Sequence, residues 1–157
     1  MEAQPNTLVG IRNRALLSIG YDFLARRSEI SSLQDADIEF LPDSAIRGII
    51  RKSKTDQFGR GRLIFGSKRS KKLIKSWLKK KPEDIPWLFC AINHDRFLDQ
   101  PLCDRSVNKI IKKSIVRVKG HKPRDWGILG HSLRIGKAQD LLIHGHETIA
   151  IMRAGGR

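Results

Sequence analysis

Apolar residues recur at helical spacing along most of this chain, and a single block, residues 37–65, breaks the rule. Leu8, Ile11, Ala15, Ile19 and Phe23 lie close to one helical face behind Thr7, a side chain able to cap, so a helix is expected from Leu8 to about Ala25. A short helical turn should follow over Ser28–Leu33. Then the pattern changes. Asp37–Leu41, Ala45–Lys54 and Arg62–Phe65 carry β-favouring residues, separated by Pro42-Asp43-Ser44 and by the turn-rich Thr55–Gly61. They read as a small antiparallel sheet with a basic hairpin. Beyond it, helical spacing returns. Ser67 can cap a helix over Lys68–Lys81 that buries Leu73, Ile74, Trp77 and Leu78 and ends at Pro82, with Lys79-Lys80-Lys81 a solvated helix end. Pro86–Ile92 reads as a short buried segment. Asp104 can cap a helix over Arg105–Val118, with Val107, Ile110, Ile111, Ile115 and Val118 as its stripe and Gly120 as its stop. After a loop over His121–Gly130, a helix is expected over His131–His144, and another from Glu147 to Met152 before Gly155-Gly156. The fold class is therefore α+β and mainly helical: a single domain with one small antiparallel three-stranded sheet. At 157 residues it can bury a real core.

Charge narrows the partner. Thirty-one Lys and Arg against 16 Asp and Glu leave a net charge of +15, more than solubility requires. A polyanion explains it, and nucleic acid is the commonest one; a generically basic surface or an anionic membrane surface is the competing explanation. Aromatic residues are 6% of the chain, too few to stack a single strand, which favours the backbone of double-stranded DNA. No apolar run reaches membrane-spanning length, and Met1–Thr7 lacks the pattern of a secretory signal. A cytoplasmic, nucleoid-associated protein is expected. Cys90 and Cys103 both sit among apolar neighbours in sequence and read as reduced core thiols, a disulfide between them being the alternative. Neither joins a metal-ligand cluster; no metal and no cofactor are expected.

Four basic residues stand out by context. Arg26 closes the first helical pattern, Lys54 sits at the tip of the hairpin, and His131 and Arg134 are three apart at a helix start, hence on one face. Such a set suits a phosphodiester. Arginines grip the non-bridging oxygens, a hairpin lysine can protonate a leaving alkoxide, and a histidine can manage a proton. Taken singly, Arg26 could be a surface helix end, Lys54 an ordinary turn lysine and His131 a cap. Arg27, Lys52, Arg60 and Arg62 are further candidates for DNA contact.

The order of these motifs resembles the tyrosine recombinases of the phage-integrase and Xer type. Arg12-Asn13-Arg14-Ala15-Leu16 precedes Arg26-Arg27-Ser28-Glu29, the hairpin lysine follows, then His131-Ser132-Leu133-Arg134, then Ile149–Gly156. The resemblance covers essentially the whole chain and implies the catalytic-domain fold of that family. It implies that Arg26 and Arg134 clamp the scissile phosphate, that Lys54 (with Lys52 second) is the general acid toward the leaving 5′-oxygen, and that His131 assists. It makes Glu29 a support of the arginine region.

Two departures accompany it. Where the family usually places His or Trp after the glycine pair, this chain has Arg157, entered here as a catalytic position. The nucleophilic tyrosine expected a few residues later does not occur, and the single tyrosine, Tyr21, falls in the first helix pattern, read as buried. The expectation is a catalytic-type domain over residues 1–157, without the N-terminal core-binding domain or the tyrosine segment. It should bind duplex DNA, stay monomeric in isolation and be unable to cleave alone, with a full-length recombinase as a possible partner. A non-enzymatic regulatory or architectural DNA-binding protein on the same fold is the alternative. An unrelated RNA-binding or ribosome-associated module fits the ordered basic set less well.

Overall fold

The computed structural model describes residues 4–42, 45–52, 61–119 and 132–156. Its elements are α1 (Leu8–Asp22), α2 (Arg27–Ser32), a 3-10 turn (Asp35–Asp37), β1 (Ile38–Phe40), β2 (Ile46–Ile50), β3 (Arg62–Gly66), α3 (Lys68–Leu78), β4 (Cys90–Asn93), β5 (Arg96–Pro101), α4 (Asp104–Lys119), α5 (Ser132–Ile143) and α6 (Thr148–Ala154). The domain is mainly helical, as its periodicity requires, and β1-β2-β3 form the expected antiparallel sheet.

α1 is the axis of the fold. Thr7 caps it, accepting from the Gly10 backbone N–H. Its burial is wider than one stripe: Ala15, Leu16, Leu17, Ser18, Ile19 and Gly20 are all buried. α3 packs along one side, where Ser18 and Ser70 share a hydrogen bond of 2.6 Å. α2 and α5 approach so closely at Gly20 that a β-carbon there would lie 2.9 Å from Ile30 and 3.0 Å from Leu133. Trp77 of α3 is fully buried and donates through Nε1 to the Leu88 carbonyl at 2.7 Å, so its polar atom costs little inside the core. Ile46, Ile50 and Ile64 carry the core into the sheet, and Val107, Ile110 and Ile111 carry it into α4.

Several expectations are corrected. α1 stops at Asp22 instead of continuing to Ala25, because Leu24 takes a left-handed backbone (φ 49°) that no helix accommodates. β2 ends at Ile50 rather than Lys54 within the described residues. A second sheet, the antiparallel hairpin β4-β5, begins within Pro86–Ile92, read as a short buried segment, and continues through residues 93–101, where no element is expected from the sequence; its positive-φ turn residues His94 and Asp95 carry no glycine signal. α3 ends at Leu78, and Lys81 is not solvated. It is 5% exposed, pairs with Asp35 at 2.9 Å and bonds the Ile85 carbonyl, because the chain folds back over it after Pro82. Val118 is 67% exposed, past the end of its helix's buried stripe. Cys90 is buried but Cys103 is exposed, and both are free thiols. Tyr21 is half-buried rather than interior, its hydroxyl donating to Asp140 of α5. The expected stop at Gly120 and loop over His121–Gly130 lie outside the described residues. Among the described residues no helix is long and apolar enough to cross a membrane.

Candidate phosphate site

The site forms where three element boundaries meet: the α1–α2 corner, the start of β3 and the end of α6. At the corner, the Glu29 carboxylate reaches back to accept from the Arg26 backbone N–H at 2.8 Å, a one-sided cap that starts α2. Glu29 is 2% exposed. A buried carboxylate needs compensating charge, and two guanidiniums provide it. Arg26 Nη1 donates to Glu29 Oε1 at 2.7 Å, and Arg62 Nη2 donates to Oε2 at 2.7 Å.

Arg62 faces inward because strand alternation puts it on the same face as Ile64 and Gly66. Its Nη1 also donates to the Phe23 carbonyl at 3.3 Å and to the Ala154 carbonyl at the end of α6. Arg134, on the first turn of α5, donates through Nη1 to the Leu24 carbonyl at 3.2 Å. The left-handed turn at Leu24 forms the corner from which that carbonyl is presented.

All three arginines border one dipeptide. A β-carbon on Gly155 would lie 2.9 Å from Arg134 Nη2. One on Gly156 would lie 3.1 Å from Arg62 Nε and 3.7 Å from Arg26 Nη1, and Arg26 Nη2 reaches the Gly156 carbonyl at 3.4 Å. Glycine is therefore required twice over at 156: for close approach and for its positive φ of 71°. Two guanidiniums on one carboxylate, with a third beside the same glycine pair, leave an excess of positive charge in a partly desolvated corner, the setting in which an oxyanion is bound well.

The structure thus brings together Arg26, Arg134, Glu29 and Arg62. Arg27 is half-buried at the start of α2, and Lys52 is exposed two residues beyond β2. Lys54, Arg60, His131 and Arg157 lie outside the described residues; His131 directly precedes α5 in sequence and Arg157 directly follows Gly156. The Leu24 carbonyl escaped the sequence reading, and Arg62 figured there only as a candidate for DNA contact, its inward bond to Glu29 unforeseen. The Leu24 carbonyl left no signal. Arg62 left one: a charged residue in phase with Ile64 and Gly66 must face inward and meet a buried anion. Among the described residues no group of three His, Cys, Asp or Glu could hold a metal.

Residues 1–156 match the model of the phage integrase family, and the chain belongs to that family. It is 31% identical over 154 residues to the integrase/recombinase XerD homolog of Selenomonas ruminantium, covering 93% of this chain and 44% of that protein. Its fold is that of tyrosine recombinase catalytic domains. It is similar to the XerH site-specific recombinase bound to its difH substrate in a pre-cleavage complex, with a TM-score of 0.76 and 23% identity over 98% of this chain and 42% of that one. The XerA recombinase gives a TM-score of 0.72 and 19% identity over 94% of this chain and 49% of that one. The chain spans less than half the length of each of these relatives.

Proposed function

We propose that this domain binds duplex DNA through its phosphates and holds one phosphodiester for recombinase-type strand exchange. The observation that carries the reading is the meeting of Arg26, Arg62 and Arg134 at the Gly155-Gly156 turn. In this reading Arg26 and Arg134 grip the non-bridging oxygens of the scissile phosphate and stabilise the charge that grows on them as phosphorus becomes five-coordinate. A tyrosine oxygen attacks phosphorus, the bond to the 5′-oxygen breaks, and that oxygen takes a proton from the hairpin lysine, Lys54 or in second place Lys52. His131 assists in proton handling, and Arg157 is a further catalytic residue. Arg27, Lys52 and Arg60 serve the flanking backbone. The step needs no metal, since cations supply the charge.

Tyr21 does not serve as the nucleophile. It lies on α1, with its hydroxyl engaged by Asp140 and its ring under Lys137, whose Nζ is 5.2 Å from the centroid. These 157 residues are assigned the holding and activation of the phosphate, and the nucleophile is assigned to a residue outside them. As an isolated polypeptide they bind DNA as a monomer, and a full-length recombinase is the natural partner for complementation, in the cytoplasm and on the nucleoid. A regulatory DNA-binding role is the second reading, favoured by the engagement of that one tyrosine.

The test is duplex affinity across a salt series. Neutralising several phosphates makes log K fall steeply with log salt. Arg134→Ala should weaken binding by about tenfold, the loss of one charge-assisted contact. Affinity that stays flat with salt, or that prefers single-stranded RNA over duplex DNA, overturns the reading.

A further inference from the structure

Glu29 is shared in a way that gives Arg62 a task of its own. Arg26 Nη1 donates to Oε1, while Oε2 accepts from Arg62 Nη2 and from the Arg26 backbone N–H. Arg62 thus holds one oxygen of the carboxylate whose other oxygen receives Arg26, and so fixes the plane of the acceptor that Arg26 meets. Arg62 is itself only 12% exposed and is fastened on two further sides, by the Phe23 carbonyl that ends α1 and by the Ala154 carbonyl that ends α6. Its Nε is buried without a hydrogen-bond partner among the described residues and lies against Gly156. One side chain therefore ties the sheet, the α1–α2 corner and the α6 terminus together at the point where Arg26 is set.

We infer that Arg62 is a positioning residue: it orients Arg26 through Glu29 and holds the Gly155-Gly156 turn against the phosphate pocket, rather than contacting DNA from an open surface. The inference rests on Arg26 being a phosphate ligand. It requires arginine. A lysine keeps the charge, but its three N–H donors diverge from one nitrogen, whereas Arg62 reaches Glu29 through Nη2 and the Phe23 and Ala154 carbonyls through Nη1, two nitrogens held apart in one plane.

The experiment is a double-mutant cycle on duplex affinity at fixed salt, with thermal melting and the Arg26 Nε–H NMR signal followed in parallel. Arg26→Ala and Arg62→Lys should each weaken binding by about tenfold. The double variant should bind no more weakly than Arg26→Ala alone, since Arg62 acts through Arg26. In the free protein, Arg62→Lys should shift the Arg26 Nε–H resonance. Gly156→Ala, which pushes a methyl against Arg62 Nε while keeping every charge, should reproduce both effects. Wild-type affinity in Arg62→Lys or in Gly156→Ala, or a loss in Arg62→Lys that adds in full to that of Arg26→Ala, would overturn the inference while leaving the phosphate reading standing. Wild-type affinity in Arg26→Ala would overturn both.

Discussion

At the scale of single residues, burial decides chemistry more than identity does. The two cysteines look alike in sequence, yet the fold gives them opposite characters. Burial pushes the Cys90 thiol up from its ordinary value, while Cys103 is exposed and lowered, chiefly by its hydrogen bond to the Ser106 hydroxyl, with Sγ and Oγ 3.3 Å apart. A thiol reagent reacts with the thiolate. The native protein should therefore be labelled at Cys103 and spared at Cys90 until it is unfolded. The rate at Cys103 should reach half its maximum at a lower pH than a free cysteine, because the depressed group ionises earlier. Ser106→Ala should move that midpoint up. Mass spectrometry of the labelled peptides over a pH series checks this, and equal labelling of both thiols in the folded protein would refute it. Arg12 shows the same rule from the cationic side. It is buried against neutral acceptors, Asn13 Oδ1 and the Cys90 carbonyl, so desolvation lowers its pKa. Part of the Arg12–Leu16 motif thus does structural service at the α1–β4 contact.

At the scale of elements, the sheet is shaped by what it must receive. Gly48 on β2 and Gly66 on β3 both face inward, where β-branched residues would ordinarily strengthen a strand. Phe23 accounts for Gly48 and, together with Ile46, which would lie 2.7 Å from a β-carbon on Gly66, for Gly66. The Phe23 ring would lie 2.8 Å from a β-carbon on Gly48 and 3.2 Å from one on Gly66. The two glycines open a slot for the aromatic residue that ends α1, and that seating fixes the α1–α2 corner carrying Arg26 and Glu29. Gly48→Ala should therefore cost about 1–3 kcal/mol through overpacking, despite the better strand propensity of alanine. Chemical denaturation measures it, and a stability equal to or above wild type would count against the account. A companion Phe23→Leu in the Gly48→Ala background should recover part of the loss.

At the scale of the whole molecule, a charge of +15 is spread over a fold in which Arg26 and Arg62 share a buried carboxylate with Arg134 beside the same glycine pair. General basicity attracts any polyanion and carries no chemistry; in the function proposed above, the cluster confines one phosphate. Attack on that phosphate needs a positioned nucleophile, and loss of positioning alone can cost many orders of magnitude in rate. Residues 1–157, incubated with a nicked suicide duplex, should leave no covalent protein–DNA band on a denaturing gel. A band formed by these residues alone would contradict the assignment and point to Tyr21. A band that appears on adding a full-length recombinase with an intact tyrosine, and grows with the amount of this domain, is the expected sign of complementation.

The sequence by itself determined the helical framework, the three-stranded sheet and the family, because periodicity, caps and motif order are local or linear properties. It also named Arg26, Glu29 and Arg134, which stand in recognisable strings. What it did not determine is how those residues are held. Lys81, Cys103, the β4-β5 hairpin and the bond between Arg62 and Glu29 depend on which distant segments fold over them. Residues 29 and 62 become neighbours only when Phe23 seats in its glycine slot and brings the corner of α1 and α2 to the start of β3. The tertiary structure alone decided that a single buried carboxylate, invisible as such in the string, organises the arginines around it, since desolvation exists only once the chain has closed.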